Sequence, residues 1–170
     1  MKFNIHPIVV HFPIALLVVY SLLKLIPCRK IFPKLDFKTT EKVLLFLGFL
    51  AILLAGSTGE EAAEMTNHDL SLVDKHELFA NITTFFYGFL FGIEFLPWVN
   101  NFLKPQKWVP VKAKEFLQWV EKVVENKFLI ILLVILGIVS LTITGVLGGV
   151  MVYGTSADPI APFVLSVLGL

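Results

Sequence analysis

The chain has 170 residues, of which 56% are hydrophobic and 16% are charged, and its mean hydropathy is +0.83. Soluble domains carry about 25% charged residues, so this composition excludes a water-soluble globular protein and predicts a single membrane domain over residues 1–170, with the lipid bilayer as its surroundings. The formal net charge is +1 and no basic cluster interleaved with aromatic residues occurs, so no nucleic-acid partner is expected. The single cysteine, Cys28, excludes an intrachain disulfide and a Cys-rich metal site.

Four long apolar runs follow one another along the chain, and a bilayer-spanning helix needs about 20 such residues. The predicted spans are residues 5–26, 42–59, 71–97 and 127–152. Glu94 interrupts the third run and is expected to extend its carboxylate toward Lys104 at the membrane surface. The sequence therefore predicts an all-α, four-helix membrane bundle.

Two further segments are too short or too polar to span. Residues 111–125 place apolar side chains at helical spacing among charged ones, which predicts an amphipathic helix on the cytoplasmic surface. Residues 160–170 are apolar but short, and we expect them in the outer interface or against a partner.

The cations predict the orientation of the bundle. Of the 14 Lys and Arg residues, all except Lys2 and Lys75 flank the first and third connections between the spans. Cytoplasmic loops are enriched in Lys and Arg, so both of these connections are predicted to be cytoplasmic and both termini to be outside.

All four histidines fall at the outer rim of this predicted topology: His6, His11, His68 and His76. Ionisable groups at membrane depth are costly and mark functional sites by default. His11 lies about 7 Å deeper than His6 at 1.5 Å per residue, beside a kink expected at Pro13. Because His76 has a similar depth on the third span, His11 and His76 are predicted to grip one haem iron across the bundle. The alternative for His11 is a neutral ring bonded to a helix carbonyl, and for His76 a pairing with Glu77 or Asp74.

Other residues at this rim complete the predicted site. Small residues let a flat cofactor or another helix approach the backbone, and amide or phenol groups can bond a cofactor or its ligands. The cofactor-binding candidates beside His11 and His76 are Asn81, Gly145, Gly148, Gly149 and Tyr153. The candidates for a metal site are His6, His11, His76, Glu60 and Glu61, because imidazole with carboxylate suits copper, zinc or iron.

The opening string HPIVVHFPIAL at residues 6–16 resembles the HPxxVHFPIAL signature of a bacterial family of small four-helix membrane proteins of unknown function. The ending of the fourth span, residues 144–154, is similar to the family's TGxxGGxxVYxxG without its last glycine, and His76 with Asn81 and Gly59-Glu60-Glu61 match two further marks. The resemblance implies the topology, the site positions and the bacterial inner membrane, with periplasmic termini.

Three hypotheses for function follow. The first is a b-type cytochrome whose haem b, held by His11 and His76, passes electrons between membrane quinol and a periplasmic redox partner; a covalent c-type haem is excluded because CxxCH is absent. The second is a copper, zinc or iron site at the outer rim. The third is an accessory subunit whose histidines bond helices together. An enzymatic role as a quinol-linked oxidoreductase and assembly as a homo-oligomer stay open.

Overall fold

The described residues form helices and no strand. The structure, a computed structural model, describes residues 4–65, 69–103, 110–124, 126–156 and 158–170. The helices in these ranges are α1 His6–Val9, α2 His11–Leu25, α3 Cys28–Ile31, α4 Phe37–Met65, α5 Leu70–Leu103, α6 Val111–Val124, α7 Lys127–Tyr153 and α8 Ala161–Leu168.

Four segments of these helices are long and apolar enough to cross a membrane. They are His6–Leu25, which joins α1 to α2, together with α4, α5 and α7. This confirms the prediction of an all-α chain with four candidate spans. Two helices exceed their predicted bounds: α4 occupies Phe37–Met65 instead of 42–59, and α5 continues through Pro97 to Leu103 instead of ending at 97. In α4 the flanking Lys and Glu residues are good helix formers and let the helix continue beyond its apolar run, whereas the extension of α5 passes through Pro97 into largely apolar residues.

The four long helices pair as two antiparallel hairpins. The first hairpin is α2 with α4, and the second is α5 with α7; the α4–α5 and α2–α7 contacts are less extensive and close the ring. Consequently α2 and α5 lie on one diagonal of the bundle. In the first hairpin the backbones approach closely at Gly48, where a Cβ would lie 2.5 Å from Leu17 Cδ2.

The core lies between the two hairpins, and the outer surface is apolar. Leu17, Leu45, Leu90 and Val134 are fully buried. Large apolar side chains on the outside remain exposed along every long helix, such as Phe85 on α5. Apolar patches of this extent are rare on soluble monomers, which agrees with the four candidate membrane spans.

The two shorter helical segments pack against the bundle. Helix α6 matches the amphipathic helix predicted at 111–125 and contacts α5 and α7. Helix α8 folds back along α7, where Ile160, Phe163 and Val167 line an apolar groove with Ile138 and Ile143. The C-terminal segment therefore packs against the middle of its own α7.

Candidate functional site

Pro13 removes one hydrogen bond from the first span beside His11, because it has no N–H to donate to the Val9 carbonyl. The span accordingly consists of α1, which ends at Val9, and α2, which begins at His11. Val10 between them keeps helical dihedral angles, with φ −63° and ψ −22°, and donates its N–H to the His6 carbonyl at 3.1 Å. The kink expected beside His11 stays a prediction.

His76 lies half-buried on α5 and is fixed by α7. Its Nδ1 lies 3.0 Å from the Thr144 carbonyl oxygen, which can only accept, so Nδ1 carries the proton and Nε2 keeps the lone pair. A Cβ on Gly148 would lie 3.2 Å from His76 Cε1. The His76 ring thus occupies the space left by Gly148. Its hydrogen-bond partner in the described part of the chain is Thr144, and a pairing with Asp74 or Glu77 is not observed there.

His6 lies half-buried at the start of α1 and contacts the end of α4. Its Nδ1 is 2.9 Å from Thr58 Oγ1, and the Thr58 hydroxyl itself donates to the Ala55 carbonyl at 3.0 Å. The hydroxyl oxygen therefore accepts from His6 Nδ1–H, and Nε2 again keeps the lone pair. A Cβ on Gly59 would lie 3.4 Å from His6 Cε1, so a small residue admits this ring as well.

His6 and His76 lie near each other at one end of the bundle, which we call the histidine end. The two rings belong to different hairpins, since His6 contacts Thr58 of α4 and His76 contacts Thr144 of α7. Both donate Nδ1–H to an oxygen, the arrangement that orients histidines which bind metal through Nε2. The structure thus brings together two imidazoles with matching tautomers.

His11 differs from the expectation that paired it with His76. Its side chain is exposed, and its Nδ1–H donates to the Pro7 carbonyl at 2.6 Å, within the same span. This hydrogen bond lies within the first span and does not join His11 to another helix. The His6 ring, in contrast, lies against α4, where Gly59 and Thr58 receive it.

The other predicted site residues are spread over the same end. Gly149 is half-buried, and a Cβ there would have no atom within 4 Å, while a Cβ on Gly145 would meet only Ile14, at 3.9 Å. The exposed members are Asn81, Tyr153, Glu60 and Glu61. His68 lies outside the described residues. Across the described ranges, no three His, Cys, Asp or Glu side chains are grouped so that they could hold a metal ion.

A cluster of four charges, which we call the ion-pair end, lies at the opposite end of the bundle. Lys24 on α2 pairs with Glu94 on α5 and with Glu41 on α4, the latter at 2.9 Å. Arg29 binds both oxygens of Glu41 at 3.0 and 3.1 Å. Glu41 is only 3% exposed. Glu94 is therefore bound within the bundle by Lys24, whereas the sequence had suggested Lys104, which lies outside the described residues.

Sequence reasoning missed this cluster, although a signal for it exists. Lys24 follows His6 by 18 residues, and Glu94 follows His76 by the same 18. Eighteen residues are five turns of 3.6, so on α5 the histidine and the carboxylate share one face. That shared face points into the bundle.

Hydroxyl groups occupy the interior between the two ends. Ser21 Oγ and Tyr87 OH are 2.8 Å apart. Thr83 donates to Ser140 at 3.1 Å and lies 3.4 Å from the Thr144 hydroxyl. The buried Tyr20 hydroxyl has no hydrogen-bond partner in the described part of the chain.

Compared with models of protein families, with curated proteins and with solved structures, the chain shows no match.

Proposed function

We propose that the chain is a b-type haem protein of the bacterial inner membrane, with both termini in the periplasm, and that it carries electrons between membrane quinol and a periplasmic acceptor. The observation that carries the proposal is the pair of half-buried imidazoles at the histidine end. His6 and His76 each donate Nδ1–H to an oxygen and so present Nε2, the nitrogen that binds haem iron.

The cost of burying imidazoles supports a ligand role. Ionisable side chains in a membrane bundle are retained where they serve a pathway or a cofactor. Thr58 and Thr144 orient the two rings, and Gly59 and Gly148 leave the space that the rings occupy. The donor set of two neutral imidazoles fits a haem b, since two axial ligands suffice.

Different residues of the chain would hold the haem iron and accommodate the haem ring at such a site. Bound haem supplies the one-electron chemistry. His6 and His76 would hold the iron through Nε2, and the open side of Gly149 would admit the flat ring beside α7. The apolar helices around the site keep bulk water away, which sets the polarity that a haem potential depends on.

The absorbance spectrum of protein purified in detergent from haem-supplied cells tests the proposal. We expect a Soret band with about one haem per chain by pyridine haemochrome. The band should be lost in His6→Ala and His76→Ala and kept in the matched control His11→Ala, with folding of each variant followed by circular dichroism.

Three results would overturn this assignment. Absence of bound porphyrin after reconstitution with haem refutes the haem. Stoichiometric copper, zinc or iron without porphyrin selects the metal-site hypothesis. Loss of haem in His11→Ala with retention in His6→Ala returns the second ligand to His11.

The proposed orientation has its own test in Cys28, the one cysteine of the sequence. It follows α2 at the ion-pair end and is half-buried with a free thiol. We expect a membrane-impermeant maleimide to label Cys28 in lysed membranes and not in intact spheroplasts. Equal labelling in both preparations contradicts a cytoplasmic first connection.

A further inference from the structure

One face of α5 carries polar side chains from one end of the bundle to the other. They are His76, Thr83, Tyr87 and Glu94. Their separations of 7, 4 and 7 residues bring each back to nearly the same side of the helix at 3.6 residues per turn. From first to last they cover about 27 Å at 1.5 Å per residue, close to the hydrocarbon thickness of about 30 Å.

In the half nearer the ion-pair end, polar groups from three helices follow one another. The Lys24 ammonium contacts Glu94 and Glu41 and lies 5.7 Å from the centre of the Tyr20 ring. The Tyr20 and Tyr87 rings pack edge to face with centroids 6.3 Å apart. The Tyr87 hydroxyl then meets Ser21.

In the half nearer the histidine end, three hydroxyl groups continue the line. The Thr83 hydroxyl is the central one and lies 3.1 Å from Ser140 Oγ and 3.4 Å from Thr144 Oγ1. Beyond Thr144, a Cβ on Gly149 would meet no atom within 4 Å, so the line ends where α7 is open.

The two halves meet at Gly137. A Cβ there would lie 3.3 Å from the Tyr87 ring, and Ser140 donates to the Gly137 carbonyl at 2.9 Å. Thr83 and Tyr87 are one turn apart on α5. No direct hydrogen bond joins their hydroxyls in the described part of the chain, so a bridging water would have to connect the two halves.

Tyr20 places a buried hydroxyl without a hydrogen-bond partner beside this line. Its side chain is 0% exposed, and among the described residues no group bonds its hydroxyl. A buried hydroxyl without a partner costs about 1–3 kcal/mol, a cost that a buried water would remove.

We propose that this interior line of side chains, from Glu94 and Lys24 through Tyr20, Tyr87 and Ser21 to Thr83, Ser140 and Thr144, conducts protons across the membrane. At each step an O–H bond breaks on one hydroxyl or bridging water as a new O–H bond forms on the next oxygen, and the hydroxyls then rotate back. Lys24 keeps its N–H bonds throughout and serves only to hold Glu94 in place. One proton enters from water at the partly exposed Glu94 carboxylate and one leaves at the other end, with no change of oxidation state. The path does not depend on a bound haem.

Purified full-length protein in phosphatidylcholine–phosphatidylglycerol vesicles tests the proposal. A potassium gradient with valinomycin drives protons inward, and trapped pyranine reports the internal pH. We expect acidification faster than in protein-free vesicles, reduced about fivefold by Thr83→Val or Tyr20→Phe, the factor expected for one lost hydrogen bond. Thr84→Val is the matched control, because the Thr84 hydroxyl donates only to the Ala80 carbonyl of its own helix.

Two outcomes would overturn the proposal. The first is a wild-type rate equal to that of protein-free vesicles. The second is a rate that neither Thr83→Val nor Tyr20→Phe reduces. Tyr20→Phe removes an oxygen that has no partner in the described residues, so this variant keeps the fold even if Thr83→Val does not. Haem content, measured on the same samples, reports separately on the haem site.

Discussion

Gly48 is the position where the first hairpin tolerates no larger residue. A Cβ at residue 48 would lie 2.5 Å from Leu17 Cδ2 and 2.7 Å from Leu17 Cγ. Real Cβ atoms do not approach other atoms so closely, and Leu17 is 0% exposed with no free space to move into. Gly48→Ala therefore forces α2 and α4 apart or drives Leu17 from its rotamer.

The magnitude follows from comparison with a second glycine of the same helix. Overpacking a buried site costs about 1–3 kcal/mol, and Gly→Ala within a helix returns up to about 1 kcal/mol. Gly56→Ala has the same helical gain and no overlap, since a Cβ there would meet nothing within 4 Å. The difference between the two variants isolates the overlap, and we expect Gly48→Ala to be the less stable by about 1–3 kcal/mol.

Reversible unfolding in mixed detergent and SDS micelles measures this difference. Both variants should unfold in one transition, with Gly48→Ala shifted to lower SDS and Gly56→Ala at or above the wild-type midpoint. Equal stability of the two variants would refute the close approach of α2 and α4 at Gly48.

Three further predictions concern the histidine end, the ion-pair end and the start of α4. Gly148→Ala should press on the His76 ring, 3.2 Å from the new Cβ, and stretch its hydrogen bond to the Thr144 carbonyl. We expect faster solvent exchange of His76 Nδ1–H by NMR and up to about tenfold weaker haem binding. Gly92→Ala is the control, because a Cβ there meets nothing within 4 Å. Lys24→Met leaves Glu94 without its cation while Glu41 keeps Arg29. We expect the free energy of unfolding to fall by about 2–4 kcal/mol, less than for a fully buried broken pair because both side chains are partly exposed. Glu94→Gln in the same chain should recover part of this loss, and a double variant no more stable than Lys24→Met contradicts the pairing. Hydrogen bonds from the Thr39 hydroxyl and amide hold the pKa of Asp36 below its ordinary value. The capped start of α4 is therefore stabilised above the ordinary Asp pKa and loses this support as the pH falls through the lowered pKa. Carboxyl NMR titration should show the pKa of Asp36 rising in Thr39→Ala and unchanged in Thr40→Ala, whose hydroxyl bonds only the Asp36 backbone carbonyl.

The membrane class and the four spans could be predicted because they depend on composition and run length alone. The ends of α4 could not, since hydropathy falls at its charged flanks and not where its hydrogen bonds stop, and the end of α5 was placed at Pro97, through which the helix continues. Glu41 illustrates the difference: it lies in the polar flank of the sequence pattern, yet it is nearly buried because Lys24 and Arg29 neutralise it within the bundle.

The choice between His6 and His11 depended on rotation about the helix axis. On a continuous helix the two are about 140° apart, and the sequence favoured the deeper one. Gly59 and Thr58 of α4 receive the ring of His6, and this packing of α4 against the first span is a tertiary contact that the sequence pattern does not give. The Lys24–Glu94 pair was missed for the same reason, because the 18-residue spacing gives a shared face but not its direction.

The division of the bundle into two hairpins determines how a guest could enter. The ring of His6 is held by Thr58 of its own hairpin, and the ring of His76 by Thr144 of the other. Each hairpin thus orients its own histidine ring without a contribution from the other hairpin. Separating the two hairpins at the histidine end would therefore leave both of these hydrogen bonds intact, because each lies within one hairpin.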